Sequence, residues 1–229
     1  MSKTMEDGNA PAEQEKPILV TFAVKEEMKF FAGRPGVRRF ITGMGRDNAE
    51  RNGSAALEQI QPRLVVTCGY AGGLNPTLKN NEVIFHADSG TPLYSKLEEM
   101  GATSVNFFCT RRVAITSEEK VRLWRGTGLD AVEMESESIR DLCRERNIPS
   151  ATIRVISDSS EEDLPLDFNT LMTPTQKIHY GKLGWALLRS PLKLMDLLAF
   201  QQKTIDAAKA LADYLNRLFD SGALNDVVR

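Results

Sequence analysis

Arg63-Leu-Val-Val-Thr-Cys68, running straight into Gly69-Tyr-Ala-Gly-Gly73, is the stretch on which the reading of the fold turns. An unbroken apolar and β-branched run of this length, bounded by glycine, reads as a buried strand. The small residues after it read as a turn that closes the strand. Backbone N–H groups can approach a ligand closely there, because no Cβ intrudes. The same grammar appears upstream. Pro17-Ile-Leu-Val-Thr-Phe-Ala-Val24 is a strand that passes into Lys25 to Phe31, where Met28, Phe30 and Phe31 would make a helix face. Arg38-Arg-Phe-Ile-Thr42 is a short strand, followed by Gly43-Met-Gly45 and a polar helix from Asp47 to Ile60. Strand, glycine turn and helix in repetition predict an α/β domain with parallel strands.

Further along, Asn81 to Ala87 is apolar enough for a strand, a loop follows, and Thr110 to Ile115 leads into Thr116-Ser-Glu-Glu119. That tetrapeptide reads as a helix start, with a capping hydroxyl and acids in the first turn. Asp130 to Ser136 is strand-like and enters a helix from Glu137 to Arg146, and Ser150 to Ser157 is a strong strand that stops at Asp158. The tail from Thr175 to Phe219 is helical by pattern, with Pro191 dividing it. No internal repeat or linker interrupts 17–219. The expected organisation is one domain over residues 17–222, behind a flexible acidic tail over 1–16.

The chain has 229 residues, 41% hydrophobic and 26% charged, with a formal net charge of −2. That balance is ordinary for a soluble globular protein. The charge argues against a nucleic-acid partner, which calls for a basic face. Three cysteines without a CxxC pair point to free thiols in a reducing compartment. Residues 1–16 lack an apolar run, so they do not read as a signal peptide. No apolar stretch is long enough to span a bilayer. A cytoplasmic enzyme with no stable membrane insertion is the expectation.

In an open α/β sheet, ligands bind beyond the carboxyl ends of strands. Five such ends carry unusual residues: Glu26 and Glu27, Gly43 to Arg46, Gly69 to Gly73, Glu133 to Glu135, and Ser157-Asp158. Each has a plainer explanation, such as Glu26 and Glu27 charging a helix N-terminus. Glu133 and Glu135 stand two apart, so on a strand they share a face. Two buried carboxylates on one face need a partner, and a polar ligand would supply one. A generic nucleotide binder is disfavoured, because neither GxGxxG nor GxxxxGK[ST] is present.

Five segments in order resemble the nucleoside phosphorylase superfamily, and within it the methylthioadenosine/S-adenosylhomocysteine nucleosidases. They are Ala23 to Met28, Thr42 to Gly45, Cys68 to Gly73, Ala131-Val-Glu-Met-Glu-Ser136, and Arg154-Val-Ile-Ser-Asp158. The resemblance implies a single-domain, three-layer α/β/α fold around a mixed, mostly parallel twisted sheet. It implies cleavage of the N-glycosidic bond of a purine nucleoside by a homodimer, with no metal or redox cofactor. Asp158 would protonate the departing base, with Ser157 orienting it. Glu135 would accept ribose hydroxyls, Met134 would pack on the sugar, and Glu133 would hold the segment or contact ribose. Glu27 would position the attacking water, while Tyr70, Ala71, Gly72 and Gly45 would line the nucleoside site.

The sequence departs from that pattern in two places. Arginines that bind phosphate in the phosphorylases are replaced by Glu27 and Thr67, which favours water as nucleophile. Arg46 is then the one candidate ligand for inorganic phosphate as co-substrate, or else a helix-surface charge. The stretch from Gly73 to Glu133 is also shorter than usual, and Thr116-Ser-Glu-Glu-Lys120 stands where residues that embrace the base are expected. The apolar runs Leu183 to Leu188 and Leu192 to Phe200 suit helices packed on the sheet or on a second subunit. They also suit a greasy wall for a lipophilic 5′ group, as in the phosphorylase-like proteins associated with hopanoid synthesis. A fold that binds nucleosides without catalysis is the remaining alternative.

Overall fold

The computed structural model describes residues 15–171, 173 and 192–224. The first strand, β1 (Ile18–Phe22), lies between β2 (Val37–Ile41) and β3 (Leu64–Gly73), parallel to both. On its other side β3 pairs in parallel with β8 (Ser150–Asp158). β4 (Val83–His86) runs antiparallel to β8, and the short β5 (Thr103–Ser104) completes the order β2-β1-β3-β8-β4-β5. The sheet is thus mixed and mostly parallel. Two further short strands, β6 (Phe107–Cys109) and β7 (Ala131–Glu133), branch from the end of β3, with β7 antiparallel to Gly72 and Gly73.

Period-2 alternation assigns each strand residue to one of two layers. Ile18, Val20, Phe22, Leu64, Val66 and Cys68 face one side, where they meet α7 (Leu192–Asp220) and α3 (Pro92–Glu99). Leu19 and Val65 face the other side, against α2 (Arg46–Ile60) and α5 (Ser136–Glu145). Helices on both faces of one sheet give the three-layer α/β/α architecture. No helix among the described residues is long and apolar enough to cross a membrane. Of the two apolar tail runs, Leu183 to Leu188 lies outside the described residues, whereas Leu192 to Phe200 begins α7, which the single turn α6 (Phe168–Leu171) precedes in the chain.

Local chemistry explains the starts of these helices. Thr116 caps α4 (Ser117–Thr127) by accepting from the Glu119 N–H at 3.2 Å, as its sequence predicts. Thr91 caps α3 in the same way, with Pro92 at the first helical position. That helix, and the strands β5 and β6, occupy a stretch the sequence pattern leaves as loop, while Thr110 to Ile115 is irregular. Two expectations at the sheet need correcting. The helix after β1 is only α1 (Lys25–Met28), since Phe31 turns into the core instead of continuing a helix face. Gly69 to Gly73 is not a turn but the end of β3 itself, a strand of ten residues.

Leu211 and Leu215 on α7 are fully buried beneath the sheet. Truncating Leu211 to alanine should cost about 2–5 kcal/mol of unfolding free energy, measured by urea denaturation, with its expected cavity beneath β3 and β8. A cost near zero would mean that α7 does not share the sheet's core.

Candidate active site

The sheet topology leaves a notch at the carboxyl ends of its central strands. β1 stops at Phe22, opposite Cys68, and β7 joins β3 only at Gly72. Between these pairings, the Tyr70 N–H finds the Glu27 carboxylate at 3.0 Å. A cavity of about 920 Å³ opens over this notch, towards the upper end of the range usual for small-molecule sites. On the far side of β3 the register with β8 shifts, so that Ala71 pairs with Ile156 and Gly72 with Asp158. Ser157 is the extra residue of that bulge, a device that re-aims side chains at strand ends. Its hydroxyl donates to Asp158 Oδ1 at 2.6 Å, and both residues line the cavity.

Glu27 comes from α1 and is 5% exposed. Its Oε2 accepts from the N–H groups of Ala23 (2.8 Å) and Val24 (3.2 Å), and Oε1 from Tyr70. The carboxylate therefore fills a small nest of backbone donors. Burial raises its pKa above the usual carboxylate value, although Arg154 and the three N–H groups oppose the shift. Gly69 makes this approach feasible. A Cβ on it would collide with the Glu27 carboxylate and the Arg154 guanidinium. Gly43 and Gly45, at φ +87° and +80°, shape the turn before α2 in a region that favours glycine.

Arg154 is the residue that sequence reasoning passed over. It sits in the middle of β8, 1% exposed, with Nη2 2.6 Å from Glu133 Oε2 and 3.6 Å from Glu135 Oε2. The pairing that two buried carboxylates demand is thus met from within the protein, not only by a ligand. Glu133 ends β7, and its carboxylate also accepts from the Glu135 and Ser136 N–H groups and the Ser136 hydroxyl. It caps α5, so its observed contacts are those of a residue holding the segment. Burial works against its charge, but Arg154 and these donors hold its pKa below the ordinary value. Glu135 lies beyond the strand, at the start of α5, with Oε1 accepting from the Gly45 N–H at 2.7 Å. Burial pushes its pKa up to about 7, with Glu133 and Glu27 adding to the rise against the pull of Arg154.

Most sequence-predicted residues therefore converge. Glu27, Tyr70, Ala71, Gly72, Glu133, Met134, Glu135, Ser157 and Asp158 all line the one cavity. Gly45 takes part through its N–H alone. Arg46 is not among the lining residues; its half-exposed side chain lies 3.4 Å from Glu137. Tyr70 also ties the site to α7, donating its hydroxyl to the Thr204 carbonyl at 3.1 Å. Ile41, Val113, Leu164, Phe168 and Phe200 give the cavity an apolar surface, with the Phe168 and Phe200 rings 5.7 Å apart, and Arg51 and Arg112 also line it. Lys120, on α4, belongs to the Thr116 to Lys120 stretch that departs from the family pattern. It is fully buried, 2.6 Å from Asp158 Oδ2. Among the described residues, no group of three His, Cys, Asp or Glu side chains is placed to hold a metal ion.

Solved structures share this architecture across nearly their whole length. Futalosine hydrolase of Helicobacter pylori is 15% identical, with a TM-score of 0.65 over 90% of this chain and 98% of that one. The 5′-methylthioadenosine/S-adenosylhomocysteine nucleosidase of H. pylori, solved with butyl-thio-DADMe-Immucillin-A, is 15% identical, with a TM-score of 0.67 over 91% and 100%. Its counterpart from Neisseria meningitidis, solved with methylthio-immucillin-A, is 17% identical, with a TM-score of 0.62 over 90% and 99%. At these identities the likeness is one of fold. The family model supplies the relationship: it matches residues 6–89 and 93–188, well over half of the sequence, and the chain belongs to the phosphorylase superfamily.

Proposed function

We propose that this protein hydrolyses the N-glycosidic bond of a purine nucleoside, with Asp158 as general acid and Glu27 positioning the attacking water. The observation that carries this reading is the charge balance at the notch. Three buried carboxylates, Glu27, Glu133 and Glu135, share one guanidinium, that of Arg154. Cleavage of an N-glycoside passes through an oxocarbenium-like state, whose positive charge such a surplus of carboxylates stabilises. The same surplus repels an incoming phosphate. Glu27 already occupies the backbone N–H groups that an oxyanion would use. Asp158, at the bulge, faces the cavity from β8, where a departing base can take a proton. Glu135 accepts a ribose hydroxyl, and Met134 supplies an apolar surface to the sugar.

A second reading concerns the substrate's 5′ group. Phe200 of the cavity wall lies on the same helix as Leu194, Met195 and Leu198, which are 45%, 68% and 50% exposed. This apolar continuation favours a lipophilic 5′ substituent on an adenosine-type nucleoside, and a phosphorylase acting on such a compound is the competing form of the proposal.

Release of free base from methylthioadenosine, S-adenosylhomocysteine, adenosine and inosine, each with and without phosphate, separates these readings. The expected result is release that does not depend on phosphate. Release only with phosphate, yielding ribose 1-phosphate, would contradict the role given to Glu27. Glu135 supplies a pH test. Its ionised form accepts the ribose hydroxyl, so kcat/KM should rise as pH increases through about 7. Glu135→Gln should flatten that limb, and an unchanged limb would remove Glu135 from ribose recognition.

A further inference from the structure

Lys120 is a buried charged group that the reaction, as described so far, does not use. It is the residue that α4 turns fully inward, while Leu123 and Trp124 on the same helix stay partly exposed. An ammonium so placed is costly unless its protons find acceptors. All three do. Nζ donates to the Ser159 carbonyl at 2.8 Å and to the Glu162 carbonyl at 2.8 Å, and it lies 2.6 Å from Asp158 Oδ2. The two carbonyls would suffice to staple the loop after β8. The third proton is aimed at the carboxylate that faces the cavity, whose other oxygen is held by Ser157.

We propose that Lys120 and Asp158 work as a single acid, in which Lys120 positions the carboxylate and supplies the proton that Asp158 passes to N7 of the departing purine. The proposal rests on the hydrolase reading above. A carboxylate in an ion pair has no proton of its own to give, because the pair stores it on nitrogen. As the C1′–N9 bond breaks, its electron pair moves into the purine ring. N7 then takes a proton through Asp158 from the ammonium. Lys120 is left as a neutral amine, Asp158 remains a carboxylate, and the base leaves uncharged. Water adds to C1′ and loses a proton to Glu27, which returns it to solvent as the products leave. Lys120 recovers its proton from solvent through Asp158 once the base has gone. Lys120 thus acts through Asp158, as a positioning residue that also feeds the acid.

The test compares base release and thermal melting for the wild type, Lys120→Arg, Lys120→Met, Asp158→Asn and the Lys120→Met/Asp158→Asn double variant. Arginine keeps the positive charge and the donors but does not give up its proton in proteins. Lys120→Arg should therefore melt close to wild type, with KM within about threefold and kcat about 10²-fold lower. Adding Lys120→Met to Asp158→Asn should cost no further kcat, since the relay is already broken. Wild-type kcat in Lys120→Arg would overturn the proposal, as would multiplied losses in the double variant. If arginine prevents folding, the melt reveals it and the double-variant cycle decides. A wild type that releases no base from any nucleoside would overturn the hydrolase reading as well, and that control alone identifies this outcome.

Discussion

The guanidinium of Arg154 faces Glu133 at 2.6 Å and Glu135 at 3.6 Å from the middle of a buried strand, between Ile153 and Val155, and the rest of the site is arranged around it. Burying an arginine in a sheet is unfavourable on its own. Here burial does oppose its charge, but Glu133, Glu135 and Glu27 together raise its pKa further. The dependence runs both ways. Without Arg154, three carboxylates from α1, β7 and α5 would be left buried around an empty space, a change of the kind that costs about 3–5 kcal/mol per broken pair. One side chain therefore fixes the positions of three elements that are distant in sequence.

The sheet explains why these elements meet there. β1 ends early and β7 joins late, so the middle of the β3 end has no strand partner on that side. Glu27 fills part of the gap, and the cavity opens over the remainder. Gly69 permits the close approach of Glu27 and Arg154, and the bulge at Ser157 turns Asp158 towards the cavity. Carboxylates thus stand on one side of the notch, and the Asp158–Lys120 pair on the other. In the proposed reaction the first group would suit a sugar that becomes positive and the second a base that becomes negative, so that groups on opposite edges of β3 would serve the two halves of the breaking bond.

Much of this arrangement can be read from the sequence, for identifiable reasons. The run Leu64 to Cys68 and the strand Ser150 to Ser157 are recognisable because an apolar β-branched run in a chain this polar has to be buried. Glycines at 69, 72 and 73 look like a turn, because strand interiors rarely hold them; only the crowding by Arg154 and Glu27 explains Gly69 within a strand. The helix from Pro92 carried its signal in Thr91-Pro92, a cap followed by proline, which the surrounding polar residues obscured. A lone arginine in Thr152-Ile-Arg-Val-Ile156 implies buried acidic partners, and Glu133 and Glu135 imply a buried cation. Matching the two would have found the pair without coordinates. Lys120 offered no such signal. Its inward rotation depends on the tertiary position of α4, and local pattern places it among surface charges.

The proposed hydrolysis requires that the notch favour a cationic sugar. It is tested most directly by titration calorimetry with a nucleoside analogue whose sugar ring carries a protonated nitrogen, against the neutral nucleoside of the same base and 5′ group. Transition-state mimicry by this site predicts that the cationic analogue binds tighter by about 10²-fold or more. Equal affinities, or a preference for the neutral compound, would contradict it, because the carboxylates around Arg154 would then be a structural cluster and not a catalytic one.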